Sequence, residues 1–168
     1  INVSCAGGND GTARIYVRSG ITGPYHYTLL RNSSDTVCSG FFSGEYTPSD
    51  PSTYRVCTGL TAGLYELKIW DTNGCETVST AELREPEPVS VTFDVSSYNG
   101  LNISCYGSDD GYINTNLSGS AGNFVFRWTG PDGFTATTED ITGLHAGEYF
   151  LTVTDTMGCI FTSQVTLA

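Results

Sequence analysis

Residues 58–75, TGLTAGLYELKIWDTNGC, recur as residues 142–159, TGLHAGEYFLTVTDTMGC, with eleven of eighteen positions identical. A self-match of that length means two copies of one structural unit, which constrains the fold before any single residue is weighed. Each copy reads turn, strand, turn, cysteine. Tyr65, Leu67 and Ile69 alternate with Glu66, Lys68 and Trp70, and Tyr149, Leu151 and Val153 alternate with Phe150, Thr152 and Thr154. Period two buries one face of a strand and leaves the other outside. The turns at 71–74 and 155–158 then lead into a last strand.

The duplication reaches back through each copy. INVSC (1–5) matches LNISC (101–105), and AGGNDG (6–11) matches YGSDDG (106–111). Asp-Gly dipeptides at 10–11 and 110–111 mark turns before the strands 12–18 and 112–118. GITGPYHYTLL (20–30) matches GSAGNFVFRWT (119–129), so Tyr25, Tyr27 and Leu29 fall opposite Phe124, Phe126 and Trp128. Their alternation reads as one buried face, with Trp128 in the core of an inner strand. The Gly-x-Tyr motifs at 63–65 and 147–149 match the tyrosine corner of immunoglobulin-like sandwiches. The expected fold is all-β: two tandem Ig-like antiparallel β-sandwich domains, residues 1–87 and 88–168, with one framework disulfide each. A chain of 168 residues split this way gives thin cores that benefit from staples.

The offset between copies falls from 99 to 84, so copy one carries 15 extra residues (99 − 84) within the insertion 32–57. Copy two has a plain turn, GPDGF, at 130–134. Between the copies runs REPEPVSVTFDVSSYNG (84–100), a short stiff Pro-Glu-Pro linker followed by an alternating strand at about 89–95. Copy one has no counterpart of that strand. The missing strand is expected upstream in a longer parent chain; otherwise copy one exposes an edge that another chain can fill.

Six cysteines allow fifteen pairings. Cys5 corresponds to Cys105 and Cys75 to Cys159. The simplest rule obeyed by both copies is Cys5–Cys75 and Cys105–Cys159, leaving Cys38 to pair with Cys57 inside the insertion. The wide spacing and the absence of Cys-x-x-Cys argue against zinc. Disulfides place the chain outside a reducing cytoplasm.

The net charge of −11 splits into −4 over residues 1–88 (six bases, ten acids) and −7 over residues 89–168 (one base, eight acids). Nucleic acid needs a basic footprint and is not an expected partner. No apolar run reaches the length of a membrane helix, and no signal peptide is visible, so the chain reads as a processed product or a segment. Catalysis has no obvious seat. His26 lies on the outward phase of its strand, His145 lies in a turn, and Gly-x-Ser-x-Gly, His-Glu-x-x-His and P-loop motifs are absent. The chain is not expected to be an enzyme. The adjacent pair Asp109 and Asp110 reads as turn residues rather than an acid/base couple.

Four acids recur: Asp10 with Asp71, and Asp110 with Asp155. If the bridged strands run antiparallel, each pair gathers at one end of its sandwich. There the two carboxylates, with Asn9 or Asp109 and loop carbonyls, could hold Ca²⁺. The competing reading is that each aspartate caps its own Gly-containing turn. Trp70 takes the outward phase, and with Phe41, Phe42, Tyr46 and Tyr54 of the insertion it could form an aromatic surface for a glycan or a protein partner. Alternatively the insertion folds over Trp70 and buries it. Asn2, Asn32, Asn102 and Asn116 begin Asn-x-Ser sequons, relevant only in a glycosylating host. Residues 35–37 and 155–157 resemble the O-glycosylation signal of Bacteroidetes, at Thr36 and Thr156.

NVSCAGGNDG, GITGPYHY, TGLTAGLYELKIWDTNGC and REPEP, with NISCYGSDDG and GLHAGEYFLTVTDTMGC, resemble the SprB repeat. That family forms tandem arrays in very large surface adhesins of gliding Bacteroidetes. The resemblance spans both copies; the Cys-bearing insertion departs from it. It implies export by the type IX route and a place at the cell surface, with neighbouring repeats of the same chain or same-type subunits as partners. The expected function is an extracellular structural or adhesive segment of a long repeat protein. The alternatives are a filament subunit joined by strand donation, or a carbohydrate-binding module using the insertion aromatics on surface glycans. No cofactor is expected beyond the calcium considered above.

Overall fold

Alternating buried and exposed side chains mark the strands Tyr25–Arg31, Gly111–Ser118 and Gly147–Asp155, and turn residues end them. A computed structural model describes residues 1–18, 23–119 and 123–168; the matched stretches at 20–22 and 120–122 lie outside them. The chain divides into two units, Ile1–Pro86 and Glu87–Ala168.

The first unit contains β1 (Gly11–Tyr16), β2 (Tyr25–Arg31), β3 (Asp35–Phe42), β4 (Tyr54–Leu60), β5 (Gly63–Trp70) and β6 (Glu76–Leu83). One sheet has the order β3-β2-β5-β6 and the other is the pair β1-β4, all antiparallel. Tyr25, Tyr27 and Leu29 of β2 point inward, as their phase predicts, and meet Ile15, Phe42, Leu60, Tyr65, Ile69 and Leu83 in one core.

The second unit contains β7 (Ser90–Val95), β8 (Gly111–Ser118), β9 (Phe124–Thr129), β10 (Thr135–Ala136), β11 (Ile141–Leu144), β12 (Gly147–Asp155) and β13 (Ile160–Leu167). Its sheets are β10-β9-β12-β13 and β11-β8-β7. Trp128 is fully buried among Ile113, Ile141, Leu144, Tyr149, Leu151 and Val153, and its indole N–H donates to the Thr138 carbonyl at 3.2 Å. β7 supplies the edge strand on β8; among the described residues β1 pairs with β4 alone, so the first unit lacks that strand. Ile1 covers only the start of that edge, exchanging hydrogen bonds with Thr12 through its amino group and its carbonyl.

Both tyrosine corners form. The Tyr65 hydroxyl donates to the Thr61 carbonyl at 2.8 Å and the Tyr149 hydroxyl to the His145 carbonyl at 3.0 Å. Gly63 and Gly147, which open these strands, both sit at φ 148°, a conformation a side chain would strain.

The two cores solve one packing problem differently. In the first unit Cys38 of β3 is bonded to Cys57 of β4, tying the four-stranded sheet to the two-stranded one, as the sequence predicts. Cys38 stands opposite Leu29, and Cys57 opposite Ala13. In the second unit Ala136 stands opposite Trp128, and Ile141 opposite Ile113. The large indole occupies the place where the other copy has leucine and a cross-link.

Candidate functional site

Each unit has two distinct ends. The corner end gathers the start of β1 or β8, the tyrosine corner and the close of the last strand. An added Cβ at Gly11 would meet Leu60 and Leu83, and one at Gly111 would meet Leu144 and Leu167. The turn end holds residues 71–74 or 155–158, between β5 and β6 or between β12 and β13.

This geometry corrects the expected framework bridges. Val3 donates its N–H to the Arg84 carbonyl and Asn102 to the Ala168 carbonyl, which seats the segments bearing Cys5 and Cys105 at the corner ends. Cys75 and Cys159 stand at the turn ends, at the opposite extremity of β6 and β13. Eight strand residues at ~3.4 Å each put roughly 27 Å between them, against the ~7 Å limit for the Cα atoms of a disulfide. Cys5–Cys75 and Cys105–Cys159 therefore do not form. Cys75 and Cys105 are exposed free thiols; Cys5 and Cys159 are disulfide-bonded.

The same separation breaks up the expected calcium ligands. Asp10 and Asp110 lie at the corner ends, Asp71 and Asp155 at the turn ends, so neither pair converges. Each instead holds backbone. Asp71 Oδ1 accepts from the N–H groups of Asn73 and Cys75, both at 2.9 Å. Asp155 Oδ1 does the same for Met157 at 2.8 Å and Cys159 at 2.9 Å. Asp10 accepts from the Ser4 N–H at 2.9 Å, and Asp110 from the Ser104 N–H at 3.1 Å. Hydrogen bonding from Ser4 and Ser104, side chain and then backbone, holds the carboxyls of Asp10 and Asp110 below the usual range. Among the described residues no three His, Cys, Asp or Glu side chains come together around a metal position.

The five predicted aromatics divide into three groups, not one surface. Phe42 is fully buried in the core because it takes the inward phase of β3. Tyr46 and Tyr54 cluster with Tyr16 on the β1-β4 sheet, with ring centroids 4.3 Å apart for Tyr16 and Tyr46 and 6.0 Å for Tyr46 and Tyr54. Arg14 lies over the Tyr54 ring at 4.9 Å. Trp70 and Phe41 belong to the outer face of the other sheet, where His26 stands opposite both. The His26 and Trp70 rings are stacked at 5.8 Å, Trp70 is half-buried, and Phe41 is 61% exposed. Arg55 reaches over Phe41 at 6.0 Å. Sequence reasoning placed His26 outward but did not join it to Trp70; the shared phase of β2 and β5 carries that signal only once their register is known.

At the corner end of the second unit lies a cavity of about 610 Å³ lined by Leu101, Ile103, Cys105, Tyr106, His145 and Ala168, among others. His145 Nδ1 lies 2.9 Å from the Ser108 carbonyl, pinning two loops of this hollow together. Thr36 and Thr156 are exposed, Thr36 on β3 and Thr156 in the turn. Asn2 and Asn102 use their side-chain oxygens to accept from Arg84 and Ala168 N–H groups.

The SprB repeat family model matches residues 2–40, in agreement with the resemblance read from the sequence. No curated protein sequence matches the chain. Among solved structures, the chain is similar to the fibronectin(III)-like modules of Clostridium thermocellum CbhA, at 15% identity over 98% of this chain and 86% of that one, TM-score 0.38. It is similar to DIP-gamma IG1+IG2 at 14% identity over 99% and 92%, TM-score 0.42, and to murine CEACAM1b at 11% identity over 99% and 94%, TM-score 0.36.

Proposed function

We propose that the chain is an extracellular structural and adhesive segment of a repeat-containing bacterial surface protein, of the kind used in gliding or surface attachment and exported by the type IX route. The observation that carries this reading is the serial duplication of one sandwich whose recurring polar residues hold turns rather than converge on a reactant. The SprB match over residues 2–40 and the Cys38–Cys57 disulfide, which needs an oxidising compartment, support it. Sandwiches joined through a short proline linker give length with limited bending, which a projecting surface protein requires. The test is protease shaving of intact cells that make the protein, with attachment scored in a strain lacking the segment. Protection of the protein from external protease, or unchanged attachment, defeats the reading.

A second reading rests on the open edge of β1. The backbone groups of Arg14 and Tyr16 occupy the positions where, on β8, Asn114 and Asn116 stand opposite Asp94 and Thr92 of β7. A filament subunit would fill that edge with a strand from another copy. Fibres of the purified protein by electron microscopy, blocked by a peptide of residues 89–96, support this; dispersed particles at all concentrations refute it. A third reading uses the Trp70, His26 and Phe41 row to stack on sugar rings. Glycan-array binding lost in Trp70→Ala supports it, and binding unchanged in that variant removes it. O-glycosylation at Thr36 and Thr156 predicts added hexose mass on the native protein, lost in Thr36→Ala and Thr156→Ala.

A further inference from the structure

Every unit carries one cysteine at its corner end and one at its turn end, too far apart to meet. Two of these four are disulfide-bonded: Cys5, at the corner end of the first unit, and Cys159, at the turn end of the second. The chain connects these same two ends. It leaves the first unit after β6, at its corner end, and enters the second at Ser90, which stands opposite Ser118 at the turn end. The cysteines at the other two ends, Cys75 and Cys105, are the exposed free thiols.

We propose that Cys75 and Cys105 are the open halves of inter-repeat staples: the corner-end cysteine of one copy bonds the turn-end cysteine of the following copy. The Cys105 end has the shape for such a partner. Its hollow of about 610 Å³ is lined by the thiol residue itself together with Leu101, Ile103 and Tyr106. Leu101 and Tyr106 are exposed, the latter completely, an apolar surface that the second unit does not cover with its own residues. The turn end supplies a tight, exposed turn locked by Asp71 Oδ1, with Cys75 at its close. The occupant is thus the Asp-x-x-Gly-Cys turn of another copy of this repeat, in the same polypeptide or in a second molecule.

The bond forms by thiol–disulfide exchange with a small-molecule or protein disulfide. Two thiols, Cys75 and Cys105, give one S–S bond. Their two electrons reduce the oxidant to two thiols, which keep the two protons.

This inference deepens the tandem-repeat reading, but it is tested on purified protein and fails separately from the attachment assay. The full chain, Cys75→Ser and Cys105→Ser are incubated in a glutathione redox buffer and run without reductant. The full chain is expected to give a ladder of linear multimers. Each variant alone stays monomeric. An equimolar mixture of the two gives at least ten-fold more dimer than either alone, with a Cys75–Cys105 peptide by mass spectrometry. A chain carrying residues 1–168 twice in series separates the two sources: bonding within it leaves its monomer band with two free thiols rather than four. Dimerisation of either variant alone to the level of the mixture would show indiscriminate oxidation and overturn the proposal. So would a full chain that stays monomeric with both thiols open to alkylation.

Discussion

Replacing Cys38 and Cys57 with alanine removes the cross-link between the sheets of the first unit, and its cost follows from the structure. The bond spans 19 positions. Restricting a loop of that size in the unfolded chain is worth about 11 cal/mol/K, or ~3 kcal/mol at 25 °C. Cys57 is buried at 3% exposure, so deleting its sulfur adds a small cavity worth about 1 kcal/mol. For a unit spanning Ile1–Pro86, an unfolding entropy of ~2.1 cal/mol/K per residue converts the entropic part alone into a Tm loss of ~18 °C. The assay is thermal unfolding by tryptophan fluorescence in a Trp128→Phe background, where Trp70 reports on the first unit. A second arm, Leu29→Trp with Cys38→Ala and Cys57→Ile, installs the residues the second unit uses at these places. It restores packing but not the loop restraint, so its Tm falls between wild type and the alanine pair. A loss below about 5 °C for the alanine pair would refute the claim that this bond restrains the unfolded chain.

Removing the corner hydroxyl in Tyr149→Phe leaves the His145 carbonyl without its donor and should cost about 1 kcal/mol in denaturant titration. Asp155→Ala and Asp71→Ala each strip two backbone N–H groups of their acceptor and should cost about 1–3 kcal/mol, with Asn substitutions losing less because Oδ1 is kept. The carboxyls of Asp10 and Asp110 titrate below their ordinary value. Their contribution is therefore present above the unfolded-state pKa and is lost as pH falls through the folded one. A Tm series from pH 7 to 2.5 should steepen below about pH 4 and flatten in Asp10→Asn with Asp110→Asn. Burial pushes the phenols of Tyr25 and Tyr149 up, with nearby carboxylates adding to it. Both stay protonated in the folded state where the unfolded chain ionises, so stability should fall above about pH 10.

Much of the architecture was legible because the pattern was local and stated twice. Tyr65 and Tyr149, the alternating faces of β2 and β9, the buried Trp128 and the bond between Cys38 and Cys57 each needed only strand phase or the comparison of two copies. The site was less legible because it depended on which end of a strand a residue occupies. Asp10 and Asp71 look like partners, as do Cys5 and Cys75, when the recurring framework is read as one cluster. One available signal pointed the other way: Cys75 and Cys159 start an eight-residue last strand, while the segments after Cys5 and Cys105 lead into the first strand of the motif. The insertion aromatics divided for a similar reason. Phe41 and Phe42 are adjacent on one strand, and adjacency alone sends them to opposite faces.

The sequence by itself determined that one unit is built twice, which side chains of the repeated strands face inward, and which positions correspond between copies, since periodicity and repetition are properties of the string; the burial of Phe42 in the insertion was not among them. Only the tertiary structure decided what those corresponding positions can reach. A strand is rigid and ~3.4 Å long per residue, so two cysteines at its opposite ends are kept apart by the element that relates them, and their chemistry is directed to the ends of the unit.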